Sequence, residues 1–153
     1  MSEIFIIDEW LWSDLNGDNE EKRKEAFNFL ITLCERCDRI AVAKGSKFQR
    51  KAWDFSKNAT GGEKRDIARL YFGIIRVNSQ KCEEVDIEGE EGFDLEGINP
   101  DDIYLVKTYN KIRAPIITTD NKLIDVLKSK CIPCKPRDAF LQEYLKKKPE
   151  ATP

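Results

Sequence analysis

Three aspartates stand where the patterning of the chain would bring them to a common edge. Asp8 ends the apolar run Ile4-Phe5-Ile6-Ile7, and Asp120 follows Ile116-Ile117-Thr118-Thr119. Asp102 lies shortly before the second run, in a stretch that opens Asn99-Pro100-Asp101-Asp102. Carboxylates gathered at one place repel one another unless a cation neutralises them. Hard oxygen ligands of this kind suit Mg2+ or Mn2+. Such an ion activates water and stabilises the charge that develops on a phosphate during hydrolysis. Taken singly, each aspartate also has an ordinary reading: Asp102 as a helix-start acid, Asp8 and Asp120 as turn residues at strand ends.

Composition narrows the chemistry. The 153 residues include no histidine, which removes Ser-His-Asp and Cys-His nucleophiles, His-Cys zinc fingers and imidazole acid–base pairs. Catalysis must then use carboxylates, hydroxyls, thiols, lysine or a bound metal. With 26 Lys and Arg against 28 Asp and Glu, the formal charge is −2, which excludes nucleic-acid binding by bulk positive charge but not by a local patch. Charged residues make up 35% of the chain, above the ~25% usual in globular domains, and this leans towards a surface of ion-pair networks. No basic, apolar leader opens the sequence and no run approaches the ~20 apolar residues of a membrane span, so the expectation is a cytoplasmic protein with no membrane partner.

The elements that must position the aspartates follow from periodicity. Residues 4–7 and 115–118 read as strands buried on both faces, with a shorter strand at 40–43 and another near 132–135. Helical patterning covers about 20–37, where Ala26, Phe27, Leu30, Ile31, Leu33 and Cys34 form an apolar stripe. It returns from Gly45-Ser46 to about Asn58, then over 63–75, 99–112, 121–129 and 136–147. Asn99 as cap with Pro100 at the first helical position marks the start of the 99–112 helix. The stretch 78–99, crowded with acids and carrying three glycines, reads as an acidic insertion, loop or short hairpin. Residues 148–153 read as a frayed tail after one domain over 1–147. Strands alternating with helices predict an α/β fold, a three-layer α/β/α sandwich around a central, mostly parallel sheet. In such sheets the functional crevice lies beyond the carboxyl ends of the strands, the edge that receives Asp8 and Asp120.

Phe5-Ile6-Ile7-Asp8, together with Asp102-Ile103-Tyr104-Leu105-Val106 and Ile116-Ile117-Thr118-Thr119-Asp120-Asn121-Lys122-Leu123, resembles the PIN domain family. The resemblance implies a PIN-like fold and a metal-dependent endoribonuclease acting on single-stranded RNA. It implies that Asp8, Asp102 and Asp120 hold Mg2+ or Mn2+ as catalytic metal ligands, supported by Thr118 and Asn121. It also brings the family's partners as expectations: an antitoxin-like protein and a homodimer. The family's usual glutamate on the helix after the second strand is missing, since 44–62 contains no Glu. Asp54 is the only acid there, one carbon shorter and shifted in register. Glu9, adjacent to Asp8, would point to the opposite side of an extended segment and is expected to be a poor replacement. The alternative is therefore a PIN-like RNA- or protein-binding module with an incomplete, inactive metal site. A phosphotransfer or phosphatase domain is disfavoured, because no Asp-x-Asp pair follows the first strand.

Two further groups bear on function. Lys44, Lys47, Arg50, Lys51 and Lys57 surround Phe48, Trp53 and Phe55, a pattern that serves either as an RNA-backbone path with aromatic faces or as a solvated helix with aromatics in the core. The five cysteines include Cys34-x-x-Cys37 and Cys131-x-x-Cys134; the expectation is buried free thiols, with a disulfide or zinc as alternatives.

Overall fold

The computed structural model describes residues 2–89 and 94–146; the expected tail at 148–153 and the centre of the acidic stretch lie outside them. Five strands form one sheet: β1 (Ile4–Ile7), β2 (Arg39–Ala43), β3 (Cys82–Val85), β4 (Ile116–Thr118) and β5 (Cys134–Pro136). Their order is β3-β2-β1-β4-β5 and every pairing is parallel. Helices α1 (Trp10–Asn16), α2 (Glu20–Glu35), α3 (Lys47–Asn58), α4 (Gly62–Leu70), α5 (Ile103–Ile112), α6 (Asn121–Ser129) and α7 (Arg137–Lys146) complete the fold. A π-helical turn, Tyr71–Ile75, prolongs α4, and a 3-10 turn, Pro100–Asp102, leads into α5.

Alternation along the strands sorts the core into two layers. Phe5 and Ile7, Ile40 and Val42, and Ile117 pack with Trp10, Trp12, Phe29, Phe48 and Phe140 on one face. Ile6, Ala41 and Ile116 face the other way, against Leu105, Val106, Leu123 and Leu127 of α5 and α6. This is the expected three-layer α/β/α arrangement. Strand order reverses beside β1, whose neighbours β2 and β4 are reached by crossovers in opposite directions, so a crevice opens at the carboxyl ends of β1 and β4.

Three expectations change. The 78–99 segment is not wholly an insertion, because Cys82–Val85 pairs along β2 from Ile40↔Cys82 to Ala43↔Val85. An edge strand needs only partial cover, so Cys-Glu-Glu-Val lacks the apolar run that reveals a central strand; Glu83 and Glu84 are instead held by Arg39 (3.1 Å) and Arg76 (3.4 Å). Residues 10–16, left unassigned in the patterning above, form α1, which buries Trp10, Leu11, Trp12 and Leu15. The helix expected over 63–75 changes to a π turn at Tyr71, where the Arg76 amide donates to the Tyr71 carbonyl at 2.7 Å.

A candidate metal centre at the sheet's carboxyl edge

Asp8 leaves β1 with its amide donating to the Ile117 carbonyl (3.0 Å), so its position is set by the sheet itself. The chain then turns at once: Glu9 has helical dihedrals (φ −66°, ψ −2°) and caps α1. Strand alternation therefore stops at Asp8, and the Glu9 carboxylate does not swing to the opposite side. It lies with Asp8 and Asp102, and one carboxylate oxygen from each of the three falls within 4.8 Å of the others. Among the described residues this is the one group of three or more such side chains close enough to share an ion. Glu9, expected to be a poor ligand, is thus a member of the cluster.

The surroundings hold each carboxylate in place. Thr118, fully buried at the end of β4, donates to Asp8 Oδ2 at 2.6 Å and accepts from the Asp120 amide at 3.2 Å. The Tyr104 hydroxyl, reaching from α5, donates to Glu9 Oε2 at 2.6 Å and lies 3.4 Å from Asp8 Oδ1. Lys47, the first residue of α3, places its ammonium 3.0 Å from Glu9 Oε1 and 3.8 Å from Asp101 Oδ2. Its helix starts there because the Ser46 hydroxyl accepts from the Gln49 amide as the cap, while the Gln49 side chain reaches back to accept from the Gly45 amide. Gly45 sits at φ +68°, a conformation that glycine adopts without strain.

The electrostatics record a shortage of positive charge. Burial pushes the Asp8 carboxyl up to about 7, helped by its hydrogen bond to Glu9 and by the Glu9 charge. Burial opposes ionisation of Glu9 as well, but hydrogen bonds with Asp8, Tyr104 and Lys47 outweigh it and hold Glu9 at about 2. Asp102 is raised by burial first, then by the charges of Glu9 and Asp120. The hydrogen bond to Glu9 is the main cause that lifts Lys47 above the ordinary lysine value. With Asp8 at about 7 and Glu9 at about 2, the pair carries about half a proton at pH 7, and the three carboxylates form a group that could hold a metal ion.

The remaining site expectations divide. Thr118, expected to support the ligands, is hydrogen-bonded to Asp8. Asp120 caps α6, its Oδ1 accepting from the amides of Lys122 (3.0 Å) and Leu123 (3.2 Å). It is not a member of the three-carboxylate group, yet with Asp102, Ile98, Asn99, Lys122 and Leu123 it lines an adjoining cavity of about 340 Å³. Asn121 is exposed at the first position of α6. Asp54 is exposed and borders a different surface hollow with Ser13, Lys51 and Asn58, so it does not fill the place of the missing glutamate. Of the basic group, Lys47 reaches the cluster, while Lys44, Arg50 and Lys51 are exposed. Phe48 and Phe55 are core residues packed on Trp12 and offer no face to a ligand; Trp53 does. All five cysteines are free, but Cys37 and Cys131 are exposed rather than buried, and no cysteine joins a group of potential ligands among the described residues.

Sequence patterning missed Glu9 and Tyr104. The signal for Glu9 was Leu11, Trp12 and Leu15, whose spacing followed by Gly17 fits a helix that begins directly after Asp8. Tyr104 had no such signal, since a tyrosine two residues beyond Asp102 reads as core. No protein-family model matches this chain, and no curated protein matches it either.

Proposed function

We propose that this protein is a PIN-like, divalent-metal-dependent phosphodiesterase that hydrolyses single-stranded RNA. One observation carries the reading: three carboxylates converge at the crevice beside β1, and the most buried of them, Asp8, makes no ion pair among the described residues. Asp8, Glu9 and Asp102 are the residues that would hold Mg2+ or Mn2+, with Glu9 supplying the carboxylate that the α3 helix lacks. When bound, the ion supplies a Lewis acid for a phosphoryl oxygen and an acidified water as nucleophile. Thr118 and Tyr104 keep Asp8 and Glu9 in fixed orientations, so little reorganisation accompanies ligation. Lys47 puts a positive charge at the rim, where it attracts the phosphate backbone of a substrate.

A second reading rests on the same lysine. Because the Lys47 ammonium already lies 3.0 Å from Glu9, it partly neutralises the cluster without an ion, as an inert binding module would require. Cleavage of end-labelled, unstructured RNA with Mn2+ separates the two. Phosphodiesterase chemistry predicts Mn2+-dependent cleavage that EDTA abolishes and that Asp8→Asn lowers at least ~100-fold, the scale of losing a charge-stabilising group. Absence of cleavage by the folded wild type across several RNAs, or equal rates for Asp8→Asn, would overturn it in favour of the inert module.

A further inference from the structure

The charge of this chain is unevenly distributed. Residues 44–76, covering α3, α4 and the π turn, hold nine Lys and Arg against three Asp and Glu, a net of +6 in a chain whose total is −2. Lys47 and Arg76 are engaged by acids elsewhere in the molecule. Lys44, Arg50, Lys51, Lys57, Arg65 and Arg69 are exposed and make no ion pair among the described residues. Within this basic lobe stands Trp53, 43% exposed, whereas Trp10 and Trp12 are 4% and 2% exposed. Its ring lies 4.4 Å from that of Phe72 at an interplanar angle of 31°, and the Arg76 guanidinium sits 5.1 Å from its centroid. Arg76 is fixed in turn by Glu84 of β3. Arg50, Trp53 and Lys57 recur at i, i+3 and i+7 of α3, which places them in one stripe along the helix. That helix begins at Lys47, beside the carboxylate cluster, and Trp53 lies about 9 Å further along its axis.

We infer that the Trp53–Phe72–Arg76 stack, flanked by Arg50 and Lys57, is a platform for an unpaired base of single-stranded RNA, separate from the metal centre. An indole braced by an aromatic ring and a guanidinium presents a fixed π face, and flanking cations that make no ion pair among the described residues can meet phosphates. Ile74 and Val77 are also exposed, which would suit a second copy of the chain, but juxtaposing two surfaces that each carry exposed cations with no ion pair among the described residues is repulsive, and a polyanion is the complementary occupant. The choice of RNA as the strand rests on the function proposed above; the platform itself does not depend on cleavage.

The test is binding in EDTA, where no hydrolysis occurs. The probe is a 5′-fluorescein oligouridylate of about 12 nucleotides, followed by anisotropy, with an unlabelled copy for tryptophan emission. Wild type should bind with quenching of the indole emission, since Trp53 is the exposed tryptophan. Trp53→Ala should weaken binding about tenfold or more and remove the quenching, and Trp53→Phe should recover most of the affinity. Replacing both Arg50 and Lys57 with Gln should lower the slope of log K against log salt by about 1.4. Binding by Trp53→Ala within about twofold of wild type would overturn the platform, as would equal affinity for a duplex of the same length, whose bases are already stacked. So would a wild-type dimer in light scattering that Trp53→Ala converts to a monomer, because the face would then be a subunit contact. Binding that persists while Mn2+-dependent cleavage is absent overturns the catalytic proposal and leaves the platform standing.

Discussion

Two places in this molecule bring three acidic side chains together beside one cation, and they have opposite characters. At the first, Arg137 of α7 is 3% exposed and meets every acid directly. Its Nε donates to Asp14 at 2.7 Å, its Nη1 to Asp138 at 2.7 Å, and its Nη2 to Glu25 and the Lys22 carbonyl at 3.4 and 3.3 Å, while Trp10 covers the guanidinium face. The cation is central and buried, and the acids lie around it towards solvent, Asp138 furthest. At the second, the order is inverted. The acid Asp8 is central and buried, and the cation Lys47 is at the rim, in contact with Glu9 and Asp101 but not with Asp8. An arginine with its donors used is a structural clamp; a buried carboxylate that makes no ion pair among the described residues, grouped with two other acids, could hold an ion. The arrangement of charge, more than the count of acids, separates the two.

Removing the central group is the sharpest way to test that contrast. Arg137→Met keeps the apolar stem but strands Asp14 and Glu25, and should destabilise by about 3 kcal/mol, at the low end for a broken buried pair because Asp138 is in solvent. At ~2–4 °C per kcal/mol for a chain of this size, thermal unfolding should fall by roughly 6–12 °C. The next effect concerns the ion. With Mn2+ at about 100 times its Kd, wild type should gain ~2.7 kcal/mol, seen as a rise in melting temperature, and Asp8→Asn should gain almost none. An Mn2+ response that survives Asp8→Asn would place the ion elsewhere.

A smaller effect has the opposite sign to the Arg137 loss. The folded-state value of Asp8 is raised from 3.8 to about 7, so between these values the folded chain keeps a proton that the unfolded chain releases. Stability from Asp8 is thus present below pH ~4 and is lost as pH rises towards 7. Glu9, held down at about 2, works in the other direction, contributing above its unfolded value and losing that contribution as pH falls through 4.5 to 2. The two shifts oppose each other, and the cost left by keeping Asp8 ionised in the fold lies above pH 7. Asp8→Asn should therefore raise the melting temperature in EDTA at about pH 8, with the gain vanishing near pH 4. No stabilisation at pH 8 in EDTA would mean that the Asp8 charge is compensated within the protein, and the contrast with Arg137 would fail.

Most of the architecture was legible because it follows from local pattern. Ile4–Ile7 and Ile116–Thr118 are apolar, β-branched runs that end abruptly, and Asn99-Pro100 caps the turn into α5 as its residues imply. What escaped depends on neighbours distant in sequence. β3 reads as polar because Glu83 and Glu84 are matched by Arg39 and Arg76, from β2 and the end of the π turn. Asp8 was recognisable from where its strand ends and Asp102 from where its helix begins, but their partner Glu9 was not, since its direction depends on whether the residue after β1 stays extended or turns helical. That choice is made by Trp10, Leu11, Trp12 and Leu15 finding the core. Tyr104 and Lys47 enter the site only through the packing of α5 and α3 around β1 and β2.

Asp120 gives the finest test of where the metal centre stops. As the cap of α6 it needs only a short side-chain oxygen, and Asn caps as well as Asp, so Asp120→Asn should change stability by less than ~0.5 kcal/mol. Its charge is a different matter. Asp120 raises Asp102 across the crevice and borders the same cavity, so its negative field reaches a residue of the cluster. Losing that charge should weaken Mn2+ binding several-fold in calorimetric titration while the melting temperature without metal stays unchanged. Unchanged affinity would restrict the centre to Asp8, Glu9 and Asp102 and leave Asp120 as a helix cap alone. A loss as large as that from Asp8→Asn would make Asp120 a ligand in its own right, requiring its free oxygen to turn towards Asp102 when an ion arrives. The helix cap would survive that movement, because a single oxygen, Oδ1, accepts both amides of α6 and leaves Oδ2 free to ligate.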